Sequence, residues 1–378
     1  MQDKPKITFA SNPMYSFYGL WRSCMYNPKG AKEALKGFDD KRLSQIADII
    51  PEKGTKARLM AEKVHQLIGK NNIDNFSGLK TLMSENFDSH EIEKFSTVLE
   101  QGFNAYNNFF DKNKETIHKN IEVMNSAQST YSDNFANLYK CFETPADKKC
   151  TCFLNPFPKD KVHDGISNSE NVSMDFSLNK TEDKDNYIGD SNILKKKSST
   201  PFHEGTHFLF LNSKLKENIE NESSPEIRSV LNKIIPKFEK NLNAADTPSR
   251  DKLKYFAVGA INESFAACSS ALHREKTTGK ATANDNEWYY GWKEANDLTR
   301  QMYPTFKEYV SSGKPFDNNF FKKLEISIRA DELRRAKNIK EKLEKTGEKI
   351  PYNPVKKIDL TSLQMRKQEN LKPAKNER

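Results

Sequence analysis

The sequence predicts an α+β fold, mostly α, with one small sheet. Three observations predict it. Apolar residues recur at helical spacing from Asp40 to Phe142 and again from Pro225 to Lys345. Between them, Pro145 to Gly189 changes texture to short alternating or proline-stopped runs, which read as strands. The stretch His203-Glu204-Gly205-Thr206-His207 then stands in a helical setting, with Ser199 or Thr200 able to cap, Pro201 suited to the first turn, and Phe202, Leu209 and Phe210 as packing positions. The expected organisation is a helical N-terminal lobe over 1–142, a second domain over 143–330, and a charged helix with a basic, solvated, partly disordered tail over 331–378.

Taken in order, Ile7-Thr8-Phe9 is a short strand. Asn12 caps a helix opened by Pro13, whose stripe is Met14, Phe17, Tyr18, Trp21 and Met25, an aromatic face of the kind that fills cores. Helices are expected over 57–67, from Ser89 (with Ile92, Phe95, Val98, Leu99 and Phe103 inward) and as one long element over 114–142. His65, His90 and His118 lie there without partners at ligand spacing. Strands are expected at 150–158, 171–178 and, briefly, 187–189, and Lys195-Lys196-Lys197 is a solvated turn. After the motif come helices over 225–242 and from Asp251. The second of these is apolar nearly all round through Tyr255–Cys268, so it is buried, and Glu263 is the one acid in that run. Further helices follow through Leu298–Val310 and over 318–345.

Composition narrows the functional classes. No run of 18 apolar residues exists, so no helix spans a membrane. The net charge is +9, but 331–378 holds 14 Lys and Arg against 8 Asp and Glu, so the charge belongs mainly to the tail. No nucleic-acid motif accompanies it. The first residues carry no apolar signal core, which fits a cytoplasmic protein or a mature exported chain. Cys24, Cys141, Cys150, Cys152 and Cys268 are irregularly spaced and read as buried thiols, with a Cys141–Cys150 or Cys141–Cys152 bridge open to an exported chain.

The motif carries the chemistry. Residues four apart share a helix face, so His203 and His207 can aim two imidazole nitrogens at one point, with Glu204 beside it. Zinc takes two such nitrogens and keeps a position for water in catalytic sites, and an adjacent carboxylate can take that water's proton. A carboxylate in a buried helix is costly unless it is paired or bound to metal, which makes Glu263 the candidate third ligand, against the alternative of an ion pair with Lys or Arg.

His203-Glu204-Gly205-Thr206-His207 together with Asn262-Glu263-Ser264-Phe265-Ala266 resembles the gluzincin class of zinc metallopeptidases, across two helices and about a tenth of the chain. The 55 residues between His207 and Glu263 resemble the longer-spaced gluzincins. Ala266 and Ala267 occupy the region where many gluzincins place an Asp that orients a ligand histidine. The metzincin pattern is absent, and Asp246 lacks the surroundings of an aspzincin ligand. The resemblance implies a zincin-like domain holding Zn²⁺ through His203, His207 and Glu263. It implies hydrolysis of a protein or peptide substrate by a zinc-activated water, with Glu204 as general base. Tyr290, ahead of Tyr289 and His273, is the expected oxyanion donor. Two other readings stand beside it: a catalytically silent zincin-shaped binding module, and a zinc hydrolase of a non-peptide bond.

Overall fold

The computed structural model describes residues 6–26, 75–86, 89–127, 132–145, 147–157, 166–167, 171–177, 200–239, 249–282 and 293–346, with isolated positions at 35, 38, 40–43 and 73. It is mostly helical with a small sheet, the α+β class expected. The chain falls into two compact units, one of 1–133 with 149–208, the other of 134–148 with 209–378.

The first unit holds the sheet. Strand β1 is Ile7–Ala10, β2 Cys150–Phe157, β3 Ile166–Ser167 and β4 Val172–Ser177, in the order β1-β2-β4-β3. β1 and β4 both run parallel to β2, with Ile7 opposite Cys150 and Cys152 opposite Val172, while β3 is antiparallel to β4. Alternate residues Cys150, Cys152 and Leu154 are fully buried, as strand periodicity requires. Pro156 is tolerated because β1 pairs only as far as Phe153, so the proline lies where β2 has a ladder on the β4 side alone.

Helix α1, Pro13–Tyr26, packs on β2. Asn12 Oδ1 accepts from the backbone N–H of Met14 at 2.8 Å and of Tyr15 at 3.2 Å, the expected cap. One helix face then meets three successive strand residues. Tyr15 stacks on Phe153 with ring centroids 4.1 Å apart, Ser16 Oγ donates to the Leu154 carbonyl at 3.1 Å, and Gly19 lies against the Asn155 side chain. Helices α2 (Phe76–Asn86) and α3 (Ser89–Lys112) pack together, and Leu99 and Phe103 are buried as expected. Of the helix expected over 114–142, the described residues form α4 (Lys114–Ala127) and α5 (Ser132–Phe142), with 128–131 outside the described residues. Asn125 of α4 brackets β1: its Oδ1 accepts from Phe9 N–H at 3.1 Å and its Nδ2 donates to the Phe9 carbonyl at 3.0 Å.

The second unit is helical. After α6 (Thr200–Leu211), which carries the motif and continues into this unit, come α7 (Lys214–Glu220), α8 (Pro225–Glu239), α9 (Arg250–Thr278), α10 (Lys293–Ser312) and α11 (Asn318–Thr346). α9 starts at the Ser249 cap and ends at Gly279, whose φ of 78° suits a residue without Cβ. It is buried along most of its length, as its apolar run predicted, and packs on α8 and α10. Small residues let α9 and α10 approach: Ser264 Oγ donates to the Ala295 carbonyl at 3.2 Å and Cys268 Sγ to the Thr299 carbonyl at 3.6 Å. Phe142, Phe265, Phe306, Phe316 and Phe320 form an interlocked aromatic core. The seven-residue α7 was not expected, since its polar sequence has too little periodicity to announce it. Cys141, Cys150, Cys152 and Cys268 are all free and buried, so neither Cys141 bridge forms. No helix among the described residues is long and apolar enough to cross a membrane.

Candidate metal centre

The motif lies inside α6, as its flanking sequence predicted. One helical turn separates His203 from His207, and their rings meet edge to face with centroids 4.7 Å apart. The two Nε2 atoms are 3.1 Å apart. Two nitrogens held by a tetrahedral zinc at about 2.0–2.1 Å each would be separated by roughly 3.3 Å. The pair therefore already has nearly the bite that such an ion demands. The same contact also accommodates one Nε2–H donating to the other ring, so the geometry suits a cation or a shared proton.

Glu204 completes the cluster. One ligand atom from each of His203, Glu204 and His207 lies within 4.8 Å of the others, and among the described residues this is the one group of three or more His, Cys, Asp or Glu side chains so placed. Glu204 is 7% exposed and His207 5%, whereas His203 is half-buried. The site thus has one open side and a sheltered carboxylate. Thr206 Oγ1, on the buried face of the same turn, donates back to the Phe202 carbonyl at 2.6 Å.

Burial pushes the Cys152 thiol well above its ordinary range, and the neighbouring Cys150 and the Glu204 carboxylate push it further. Cys152 is therefore a neutral thiol. Cys150 is likewise raised by burial.

Glu263 is not part of the three-residue cluster. It lies on α9 in the second unit, 3% exposed, and is the one acid among the buried residues of that helix. His273, ten residues further along α9, is 3% exposed, and burial followed by the charges of Arg274 and Lys276 lowers its pKa to about 4, so it is a neutral imidazole. Tyr289, Tyr290 and Asp246 lie outside the described residues, as do the helix expected over 57–67, the strand over 187–189 and the tail from 347. His118 is exposed on α4, in keeping with a surface role.

Comparison of this chain with family models, with curated proteins and with solved structures returned no match, so any assignment rests on its own residues.

Proposed function

We propose that this chain is a zinc-dependent peptidase of gluzincin type, with a zincin-like domain built around α6. The observation that carries the reading is the 3.1 Å separation of the His203 and His207 Nε2 atoms with a buried carboxylate on the next residue. His203 and His207 would hold the zinc. Glu263 is the proposed third ligand, supported by its being the one acid in the buried stretch of α9, where a carboxylate needs a cation or hydrogen-bond donors. Bound zinc would supply Lewis acidity toward a scissile carbonyl and a lowered pKa for water.

The remaining steps belong to the chain. Glu204 accepts a proton from the attacking water and returns it to the leaving amine. Its burial keeps bulk water from competing for that proton, and its place one residue from His203 keeps it near the ligand face without using the face itself. Tyr290 is the proposed donor to the developing oxyanion.

Glu204→Gln tests the reading. The variant should keep its zinc and its folding stability while peptide hydrolysis falls on the order of 10²–10⁴-fold. Wild-type protein that holds zinc and cleaves no member of a broad peptide library would favour the silent binding module. Turnover of esters or other non-peptide substrates alone would favour the other hydrolase. Glu263→Ala should weaken zinc binding, and unchanged affinity would remove Glu263 from the ligand set.

A further inference from the structure

The second half of α11 stands apart in its surface. Through Asp331 the helix alternates buried and exposed positions, with Phe320, Phe321, Leu324, Ile328 and Asp331 inward. From Leu333 to Glu341 every side chain is exposed, yet the helix continues to Thr346. Helical segments of about 15 residues without tertiary packing are marginal in water, so this one gains little from its own unit. Among the described residues the exposed large hydrophobics are Ile326 (58%), Leu333 (73%) and Ile339 (47%), all on α11. Leu333, Ala336 and Ile339 follow at successive three-residue steps, which places them on one side of the helix within an arc of about 120°.

Basic residues surround that side. Residues 332–346 contain six Lys and Arg against three Glu, a net +3. Arg334 pairs with Asp331, and Arg335 with Asp331 and Asp297, which anchors the root of the segment to its unit. Lys337 lies 3.8 Å from Glu341, a pair that supports the helix and is largely in water.

We propose that this part of α11 docks on an anionic phospholipid surface, with Leu333 and Ile339 entering the headgroup boundary and the lysines around them reaching the phosphates. Charge selects the occupant. A second copy would bring the same net +3 against itself. A protein partner needs roughly 800 Å² on each side for a stable interface, far more than two large side chains offer. A bilayer asks only for shallow apolar insertion plus anionic attraction, each Lys or Arg near the surface adding to it, with long basic side chains extending sideways to the headgroups. The charge continues past the helix: 347–378 adds eight Lys and Arg against four Asp and Glu, a spread that matches a charged plane better than a discrete pocket. With no spanning helix among the described residues, the attachment is peripheral.

The test is co-sedimentation of the full chain with vesicles of phosphatidylcholine alone or with about one third phosphatidylserine, at low salt and at about 0.5 M salt. The chain should bind the anionic vesicles and not the neutral ones, and salt should weaken binding. The double variant Leu333→Glu/Ile339→Glu should bind at least tenfold more weakly, with unchanged melting temperature and zinc content, since both side chains are exposed. Absence of binding to anionic vesicles at low salt overturns the proposal. So does binding that the double variant retains in full, which would assign it to tail charge alone. A concentration-dependent dimer that the double variant abolishes would identify a second copy as the occupant instead. None of these outcomes depends on peptidase activity.

Discussion

Gly19→Ala tests the seating of α1 on β2. Away from packing, this change in a helix interior stabilises by about 1 kcal/mol, because alanine restricts the unfolded chain more and favours the helix. Here an added Cβ would fall 2.2 Å from Asn155 Nδ2 and 2.7 Å from its Cγ. Neither separation is tolerable, and Asn155 is 1% exposed at a position paired with Asp175 of β4, so it has little room to retreat. Overpacking of this kind costs about 1–3 kcal/mol, and turning the buried amide out of its place adds about 1 kcal/mol in hydrogen bonding. The net expectation is destabilisation by about 1–3 kcal/mol, against the helix-propensity trend. Equilibrium denaturation measures it, and a cycle with Asn155→Ala sharpens it. With the amide removed, the same Gly19→Ala step should become neutral or stabilising, giving a coupling of about 2 kcal/mol or more. A Gly19→Ala protein as stable as the parent in the presence of Asn155 would refute the packing argument.

The protein reconstituted with zinc should hold about one ion per chain, and His203→Ala should lose it; metal analysis that finds none in the folded parent would remove the metal reading. Stability should rise with pH between about 4 and 6.5 because of His273. Its folded pKa of about 4 lies below its ordinary 6.5, so the unfolded chain binds more protons across that window, and the contribution present above it falls away by up to about 3 kcal/mol toward its lower end. His273→Gln should flatten that slope in denaturation curves compared from pH 4 to 7, and an unchanged slope would assign it to other groups. Asp331→Ala should destabilise by about 2–3 kcal/mol, because it removes the carboxylate shared by Arg300, Arg334 and Arg335, while Asp297 still pairs Arg300 and Arg335 and the partial exposure of the arginines keeps the cost below that of a fully buried pair. Arg300 alone makes two parallel bonds of 2.8 Å to this carboxylate, and these partners hold its pKa far below the usual range. A Tm within a degree of the parent would count against the network.

What the sequence disclosed followed from local pattern. The motif helix was legible because a cap, a proline and apolar flanks surround His203–His207, and the buried α9 because its apolar run has no polar face. The Asn12 cap and the strands over 150–157 and 172–177 were legible for the same reason. Direction and partner were not. Nothing in Ile7–Ala10 states that it lies parallel to Cys150–Phe153, since alternation reports burial of a face and not the neighbour across the ladder. β3, two residues long, has no period to detect. The electrostatic influence of Glu204 on Cys152 and the Gly19–Asn155 contact arise only when distant segments meet. The paired histidines were readable because the helix itself sets their spacing. Glu263 was readable as a costly buried charge, while its place in a ligand set depends on tertiary geometry.

The pairing of Ile7 with Cys150 spans 143 positions. At ordinary synthesis rates of about 5–20 residues per second, β1 leaves the ribosome roughly 7–30 s before its partner strand exists. α1 and α3 can form by local contacts in that time, but the sheet cannot, because its first parallel ladder is among the least local contacts in the chain. Until then Ile7 and Phe9 have no strand to cover them. Asn125 emerges about 25 residues before Cys150 and can bracket Phe9 first, occupying the backbone groups through which a free strand would pair with another nascent chain. The order of emergence thus guards the outer edge of β1 while its other edge still awaits β2.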